Sequence, residues 1–462
     1  MAPDDPTGST GTAPRSLALF TDLYELTMLR AYHELGVDKR AVFSLFARRL
    51  PAERNYLIAA GLEDFLQAVE TLRFSESDIA YLRSQGGFPE PILERLRQFR
   101  FTGDIYAMPE GTPFFENEAV IEVFAPIGEA QLIETLAINQ IGFPSLIASK
   151  AARIVSAAQG RRVIDFGGRR AHGIDAAVTG ARAAYIGGAD ATANVYAGRR
   201  YGVPITGTMA HSFIQSFDDE MDAFRSFARV YPSTVLLVDT YDTIAGVKKV
   251  VALAKELGDA FKVRGVRIDS GDLTALSKTA RQILDEAGLQ NVQIVVSGGL
   301  DEYVILDLMA AGAPIDVFGV GTDLAVSGDA PALDIVYKLT EIGGEGRVKL
   351  SVGKRSLPGR KQIFRKYEQG IAIGDVIARA DETLPGTPLL RAVMRDGVRV
   401  IPPESLTEIR DRCRTELGKM PEDIRRMGRT SRSYSVTISP ALDAFDRDVR
   451  EEIARTSHQE NA

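Results

Sequence analysis

TVLLVDT (234–240), GVRIDSG (265–271), VQIVVSGG (292–299) and PIDVFGVGT (314–322) decide the fold. Each is a short apolar, β-branched run that ends in Gly, Asp, Ser or Thr and leads into a stretch of helical periodicity. Further back along the chain, VPITGT (203–208), RAAYIGG (182–188) and RRVIDFGG (161–168) have the same form. Strand runs alternating with helical segments specify a parallel sheet wrapped by helices. The number of runs predicts a closed but irregular (β/α) barrel, with an open doubly wound sheet as the alternative. The unusual residues favour the barrel, since they gather at the C-terminal ends of the runs, the face on which barrel enzymes carry their chemistry.

Outward from this repeat, the texture changes at both sides. Residues 1–15 are rich in Pro, Gly, Ser and Thr and predict a flexible tail. Residues 16–128 predict an N-terminal α+β domain. A helix capped by Thr21 or Asp22 carries Leu23, Leu26 and Leu29 on one stripe. AVFSLFAR (41–48), a helix near Leu62–Leu72, GDIYAM (103–108) and AVIEVFAP (119–126) follow. The barrel is assigned to 129–345, entered through a long helical pattern from Ala130 to Ala158 that is interrupted at Gly142 and Pro144. Residues 346–462 are more polar. They include a hairpin-like basic stretch at 348–367 (Lys349, Lys354, Arg355, Arg360, Lys361, Arg365, Lys366), read as mostly a solvated face, and an Arg-rich helical region.

The 462 residues carry a formal charge of −7, which argues against a whole-chain nucleic-acid binder but allows a local basic pocket. The single cysteine, Cys413, excludes an intramolecular disulfide and a cysteine zinc module. No apolar run approaches the roughly 20 residues of a membrane helix, and no secretory pattern opens the chain, so a soluble cytoplasmic protein is expected.

Five constellations carry chemistry. His211, in ITGTMAHSF, ends a strand run and begins an amphipathic helix, where it can act as acid, base or nucleophile or be a hydrogen-bonded structural histidine. RVIDFGGRRAHG sets Phe166, Arg169 and Arg170 on one strand-to-loop turn suited to gripping an anion and stacking a flat ring, against the alternative of a solvated loop. In GVRIDSGDL, Arg267 and Asp269 share a strand face, either binding something or filling the barrel as an ion pair; Ser270 and Gly271 follow. VVSGGLDE and FGVGTDL supply Ser297, Gly298, Gly299, Gly321 and Thr322, glycine turns on consecutive strands able to cradle phosphate. Asp239 is a candidate ligand of a ribose hydroxyl or of magnesium-bound water. TVLLVDTYDT lacks the adjacent second acid of the type I phosphoribosyltransferase loop. Walker A, G-x-G-x-x-G, G-x-S-x-G and paired His or Cys spacings are all missing.

Taken in order, TDLYELTM (21–28), ARRLPAERNYLIAAGLEDFL (47–66), VIDFGGRRAHG (163–173), GVPITGTMAHSFI (202–214), VDTYDT (238–243), VRIDSGDL (266–273), VSGGLDE (296–302), GVGTDL (319–324) and PGRKQIFR (358–365) resemble the nicotinate phosphoribosyltransferases along nearly the whole chain. The resemblance implies a type II phosphoribosyltransferase: an irregular α/β barrel plus a second domain to which the C-terminal segment 346–462 returns. It implies a homodimer with active sites between subunits. The implied reaction joins nicotinate to phosphoribosyl pyrophosphate, coupled to ATP hydrolysis through a phosphohistidine, requires Mg2+, and is the entry to NAD salvage from nicotinate. The phosphorylated histidine falls on His211. Thr208, Arg267 and Tyr24 fall on nicotinate-contacting positions, with Tyr24 reaching in from a partner subunit. Phe166 falls on the ring that stacks on the pyridine, with Arg169 and Arg170 at the basic end of its loop. Asp239, Asp269, Gly298, Gly299, Gly321 and Thr322 fall in the stretches that hold ribose and phosphates. No metal ligand is assigned with certainty.

Nicotinamide-specific relatives place an aspartate after the second barrel strand, where ATANVYAG (191–198) has none, although Asp190 stands just upstream. Quinolinate enzymes are shorter and lack the histidine. GADATAN (188–194) departs from the family's GFDGTSN, which affects pocket shape. A barrel lyase or aldolase would need a strand-end lysine or a metal cluster, and the runs contain neither. A non-catalytic binder of NAD precursors would be free to lose His211 or the glycine turns, and both are present.

Overall fold

In a computed structural model, which describes residues 17–350, 356–428, 430 and 433–459, six parallel strands run in the order Ala191–Thr192, Arg162–Asp165, Val317–Val320, Gln293–Ser297, Gly265–Ile268 and Val235–Leu237. A parallel bridge from Thr192 to Ile205 adds one further segment at the first edge. Val235–Leu237 to Val317–Val320 are neighbours in sequence order and Val317–Val320 pairs back with Arg162–Asp165, while Ala191–Thr192 and Val235–Leu237 stand at the two edges of an irregular α/β barrel. Its inside is filled by Ile164, Ala191, Val295 and Val317, with Phe166 and Val235 against them. The alternating residues Val266, Ile268, Ile294 and Val296 face outward into the layer of helices, among them Thr243–Leu257, Leu273–Glu286 and Glu302–Ala310.

A second core surrounds a seven-stranded sheet in the order Glu345–Gly346, Ile335–Ile342, Arg40–Ala47, Ala119–Pro126, Asp104–Ala107, Arg391–Arg395 and Val398–Arg399. Its central strand, Ala119–Pro126, is antiparallel to both neighbours. Strands from early, middle and late sequence thus share one sheet. A smaller four-stranded sheet includes the hairpin Lys361–Glu368 and Ile371–Arg379.

Three sequence expectations need correction. RAAYIGG is not a strand: it ends the helix Ile174–Ile186. Alanine is the strongest helix former, and Arg182 in this run forms a buried fork with Glu110, 2.7 Å to each oxygen, that ties the helix to the N-terminal region. The strand of that unit is Ala191–Thr192, and VPITGT contributes only its bridge at Ile205.

The helix Glu134–Ala157 runs through Gly142 and Pro144 without a break. Proline removes the N–H that would bond the Gln140 carbonyl. Gly61 lies against that carbonyl so closely that a Cβ there would stand 1.8 Å from the oxygen. Finally, the basic stretch is not a uniformly solvated face. Arg365 is fully buried on Asp375 (2.6 Å), and Lys361 is buried beside Glu122 (3.4 Å). The predicted tail, Lys354 and Arg355 lie outside the described residues.

Candidate active site

The strand register brings most of the singled-out residues to one end of the barrel. Arg267 pairs in register with Val295, whose side chain is inside the barrel, so Arg267 also points inward. Its guanidinium donates to the Thr208 hydroxyl, and its Nε is buried with no acceptor. Burial, with Arg169 nearby, holds its pKa below the usual arginine value; Asp269 and Asp239 oppose this. An inward arginine bound only to a hydroxyl has donors left to bind a carboxylate or phosphate.

Above it, the two aspartates are organised by backbone and hydroxyl donors. Asp239 Oδ2 accepts from the Asp269 backbone N–H (2.9 Å) and from the Ser270 hydroxyl (2.7 Å), while its Oδ1 is buried without a donor. Asp269 Oδ1 accepts from the buried Ser297 hydroxyl. Its Oδ2 lies 3.9 Å from His211 Nε2. His211 begins the short helix His211–Gln215, and its Nδ1 is 3.1 Å from the Thr240 hydroxyl. Thr240 was not singled out in the sequence, although its place directly after Asp239 at a strand end was a usable signal.

The glycine turns fit this cluster by shape. Gly298 has φ +89°, and a Cβ there would sit 2.0 Å from the Asp269 carbonyl oxygen. Gly271 also has positive φ. Gly319 lets the Phe166 ring lie across the barrel mouth, because a Cβ at Gly319 would come within 2.4 Å of it. Buried Asp165 holds the loop after Phe166, accepting from the Gly167 N–H (2.8 Å) and the Thr192 hydroxyl (2.7 Å); burial raises its pKa. Arg169 and Arg170 are exposed in the turn Gly168–Arg170. Gly321 precedes the short helix Thr322–Val326, whose Thr322 is exposed.

Tyr24 is not part of this cluster within the chain. It lies half exposed on the helix Leu23–Glu34, its hydroxyl on Glu134, and burial with that acid raises its pKa. Asp190 is also elsewhere. It accepts from the Val163 N–H (2.9 Å) and from Arg410 (3.1 Å), near the opposite end of its strand from Thr192.

A buried ionic network that the sequence reading missed lies behind the two glycine turns. Lys150 contacts Glu302 (2.5 Å), Asp323 and Asp329 (3.1 Å). Arg153 contacts Glu302 (2.9 Å), and Arg54 contacts Asp329 (2.8 Å). Glu302 follows the Gly298–Gly299 turn and Asp323 follows Thr322, so three cations hold both turns from behind. Arg54 and Lys150 keep the Asp329 carboxyl well below the usual range against the effect of burial. No single sequence motif contains these residues, which come from four separated segments.

Among the described residues, no helix is long and apolar enough to cross a membrane. Three family models match in succession: the nicotinate phosphoribosyltransferase N-terminal domain over residues 19–142, the quinolinate phosphoribosyl transferase C-terminal domain over 147–338, and the nicotinate phosphoribosyltransferase C-terminal domain over 385–446. The chain is 52% identical over 446 residues to nicotinate phosphoribosyltransferase pncB2 of Mycobacterium tuberculosis, covering 96% of this chain and 95% of that one. It is 45% identical over 386 residues to the nicotinate phosphoribosyltransferase of Bacillus subtilis, covering 81% and 79%. The crystal structure of human nicotinic acid phosphoribosyltransferase superposes with a TM-score of 0.83 at 29% identity, covering 93% of this chain and 99% of that one. With its barrel, its strand-end cluster and these matches taken together, the chain belongs to the nicotinate phosphoribosyltransferase family.

Proposed function

We propose that the protein joins nicotinate to phosphoribosyl pyrophosphate, giving nicotinate mononucleotide and pyrophosphate in NAD salvage. ATP and water are consumed, and ADP and phosphate released, through phosphorylation of His211. The observation that carries this reading is the inward Arg267–Thr208 pair beneath the Asp239–Asp269–His211 rim, at the C-terminal face of a barrel of this family. Arg267 takes the nicotinate carboxylate and Phe166 lies against the pyridine ring. The absence of an acid in ATANVYAG supports a carboxylate substrate over an amide, and so does the position of Asp190, held by Val163 and Arg410 away from Thr208.

In the transfer, the pyridine nitrogen lone pair forms the bond to ribose C1′ while the C1′–O bond breaks and its electron pair leaves on pyrophosphate. Positive charge grows on the ribose, and the Asp269 and Asp239 carboxylates, fixed by Ser297, Ser270 and a backbone N–H, stabilise it. The turns Gly298–Gly299 and Gly321–Thr322, with Arg170, Ser270 and Gly271, hold the phosphates. A hard divalent cation suits the orphaned Asp239 Oδ1 and the all-oxygen donor set. No group of three or more His, Cys, Asp or Glu among the described residues could hold a metal, so Mg2+ would be bound by Asp239 and Asp269 together with substrate oxygens. When bound, it neutralises charge on the leaving pyrophosphate.

The Thr240 hydroxyl on Nδ1 leaves His211 Nε2 facing the site as the nucleophile toward the γ-phosphorus of ATP, with ADP leaving. Water later cleaves the N–P bond to phosphate.

A homodimer completes the site. Ile174, Val195, Tyr196 and Ile205, on segments bordering the strand-end face, are each more than half exposed. Tyr24 sits in a second exposed apolar group with Phe20 and Leu23. Contact between these two groups on different subunits would bring Tyr24 to the partner's nicotinate. The lone Cys413, a free thiol, fits a reducing cytoplasm.

The test is mononucleotide formation from phosphoribosyl pyrophosphate and magnesium with nicotinate or nicotinamide, each with and without ATP. Nicotinate turnover raised by ATP is expected, and His211→Ala should remove nicotinate-stimulated ATP cleavage. Preference for nicotinamide would overturn the substrate assignment, and unchanged ATP cleavage in the variant would remove His211 from its role.

A further inference from the structure

At the other end of the barrel, a cavity of about 420 Å³ opens between the strand starts and the helix Leu406–Gly418. That volume lies within the roughly 300–1,000 Å³ of small-molecule sites. Its lining includes two partly exposed apolar side chains, Val155 and Leu417. It also carries five arginines, Arg161, Arg162, Arg410, Arg414 and Arg425, against two acids, Asp190 and Asp411.

The arginines are not consumed by these acids. Arg410 donates to Asp190 (3.1 Å) and to the Gly188 carbonyl (2.8 Å), and Arg414 pairs with Asp411 (3.0 Å). Arg161 reaches only the Gln159 carbonyl and Arg425 only that of Met420, both at 3.1 Å. Among the described residues, Arg161, Arg162 and Arg425 have no carboxylate within ion-pair distance. The Nε of Arg410 is buried with no acceptor at all.

A chain of net charge −7 has concentrated unpaired positive charge in one cleft. Like charges at close range repel, and a buried donor without an acceptor is costly, so the cleft gains from an anion. Guanidinium forks match phosphate oxygens bidentately. The apolar side chains beside them, Val155 and Leu417, suit a base or another flat organic group.

We infer that this cleft is a second, non-catalytic site for a nucleotide, its phosphates among Arg161, Arg162 and Arg425 and its base against Val155 and Leu417. The site lies at the opposite end of the strands from His211 and does not depend on the reaction proposed above.

Equilibrium dialysis of labelled ADP against the full-length protein tests it. Two equivalents per chain are expected, falling to one in Arg161→Ser/Arg425→Ser, with the thermal midpoint confirming that the variant is folded. Both positions are exposed, and Arg161→Ser alone, expected to weaken that equivalent about tenfold (~1.4 kcal/mol), keeps the test open if the pair misfolds. One equivalent falling to none would uphold this site while refuting nucleotide binding at the catalytic face. The same count in both proteins would overturn the inference. Inorganic pyrophosphate, which has the phosphates of ADP without its base, should at equal concentration leave the arginine-dependent equivalent in place; displacement would mean that the apolar side chains contribute nothing and that the site is not for a nucleotide.

Discussion

Replacing Lys150 with methionine tests whether the glycine turns of the active site are held from behind by charge. The ammonium faces three carboxylates, Glu302, Asp323 and Asp329, and is almost fully buried. Those acids raise its pKa against the effect of burial. After the substitution Glu302 keeps Arg153 and Asp329 keeps Arg54, but Asp323 loses its cation. Removing one partner from a buried ionic group costs about 3–5 kcal/mol, because the remaining charge is left uncompensated. Protonation of Asp323, whose pKa burial already raises, returns part of that. Even if only ~1.4 kcal/mol of the loss reaches the turns, the affinity for the phosphate-bearing substrate falls about tenfold.

The expected result is a KM for phosphoribosyl pyrophosphate raised at least about tenfold, with the KM for nicotinate nearly unchanged, since Arg267, Thr208 and Phe166 belong to other segments and none is bonded to Lys150 or its acids. Lys150→Arg keeps the charge and should recover most of the affinity. Initial rates over both substrate concentrations provide the assay. An equal rise in both KM values, or no rescue by arginine, would mean that Lys150 supports the fold in general and does not position the phosphate turns.

Two further outcomes follow from local geometry and burial. Gly298→Ala places a Cβ 2.0 Å from the Asp269 carbonyl in a left-handed backbone, so Asp269 must shift; a displacement near 1 Å costs about 100-fold in turnover. Gly299→Ala, with open space around its Cβ, should lose far less activity, and equal loss would refute the steric argument. Burial and the adjacent Asp375 push Glu118 well above its ordinary value. A raised carboxyl pKa gives stability that is present below the unfolded value of about 4.5 and is lost as pH rises toward the folded one. Glu118→Gln should therefore flatten the fall of the thermal midpoint as pH rises above about 4.5; an unchanged slope would show that Glu118 is ionised in the fold.

What could be read from the sequence depended on whether the signal was local. The strands Arg162–Asp165, Val235–Leu237, Gly265–Ile268, Gln293–Ser297 and Val317–Val320 all fall inside runs recognised by their apolar core and polar ending. RAAYIGG misled because a short run of small and apolar residues has no period that separates a buried strand from a buried helix end. The true strand, Ala191–Thr192, is two residues long and too short to show any pattern. The continuous helix through Pro144 was hidden for a different reason: the backbone that packs against the freed Gln140 carbonyl is Gly61, far away in sequence.

The same distinction separates the two halves of the site. Asp239, Asp269, Ser297 and the glycines were visible because each ends a strand and the barrel carries strand ends to one place. Their mutual order follows from register alone, which is why the reading of individual motifs converged on a real cluster. Lys150, Arg153 and Arg54 have no such address. Lys150 and Arg153 lie in a helix read from the sequence only as a long helical pattern, and Arg54 lies in a loop of the N-terminal region. Their only common property is that they surround Glu302, Asp323 and Asp329 once the chain has folded. Residues that would touch substrate sit where the topology repeats, whereas residues that fix those positions sit wherever an opposite charge can reach. For this reason the Lys150 substitution probes a part of the mechanism that motif reading does not reach.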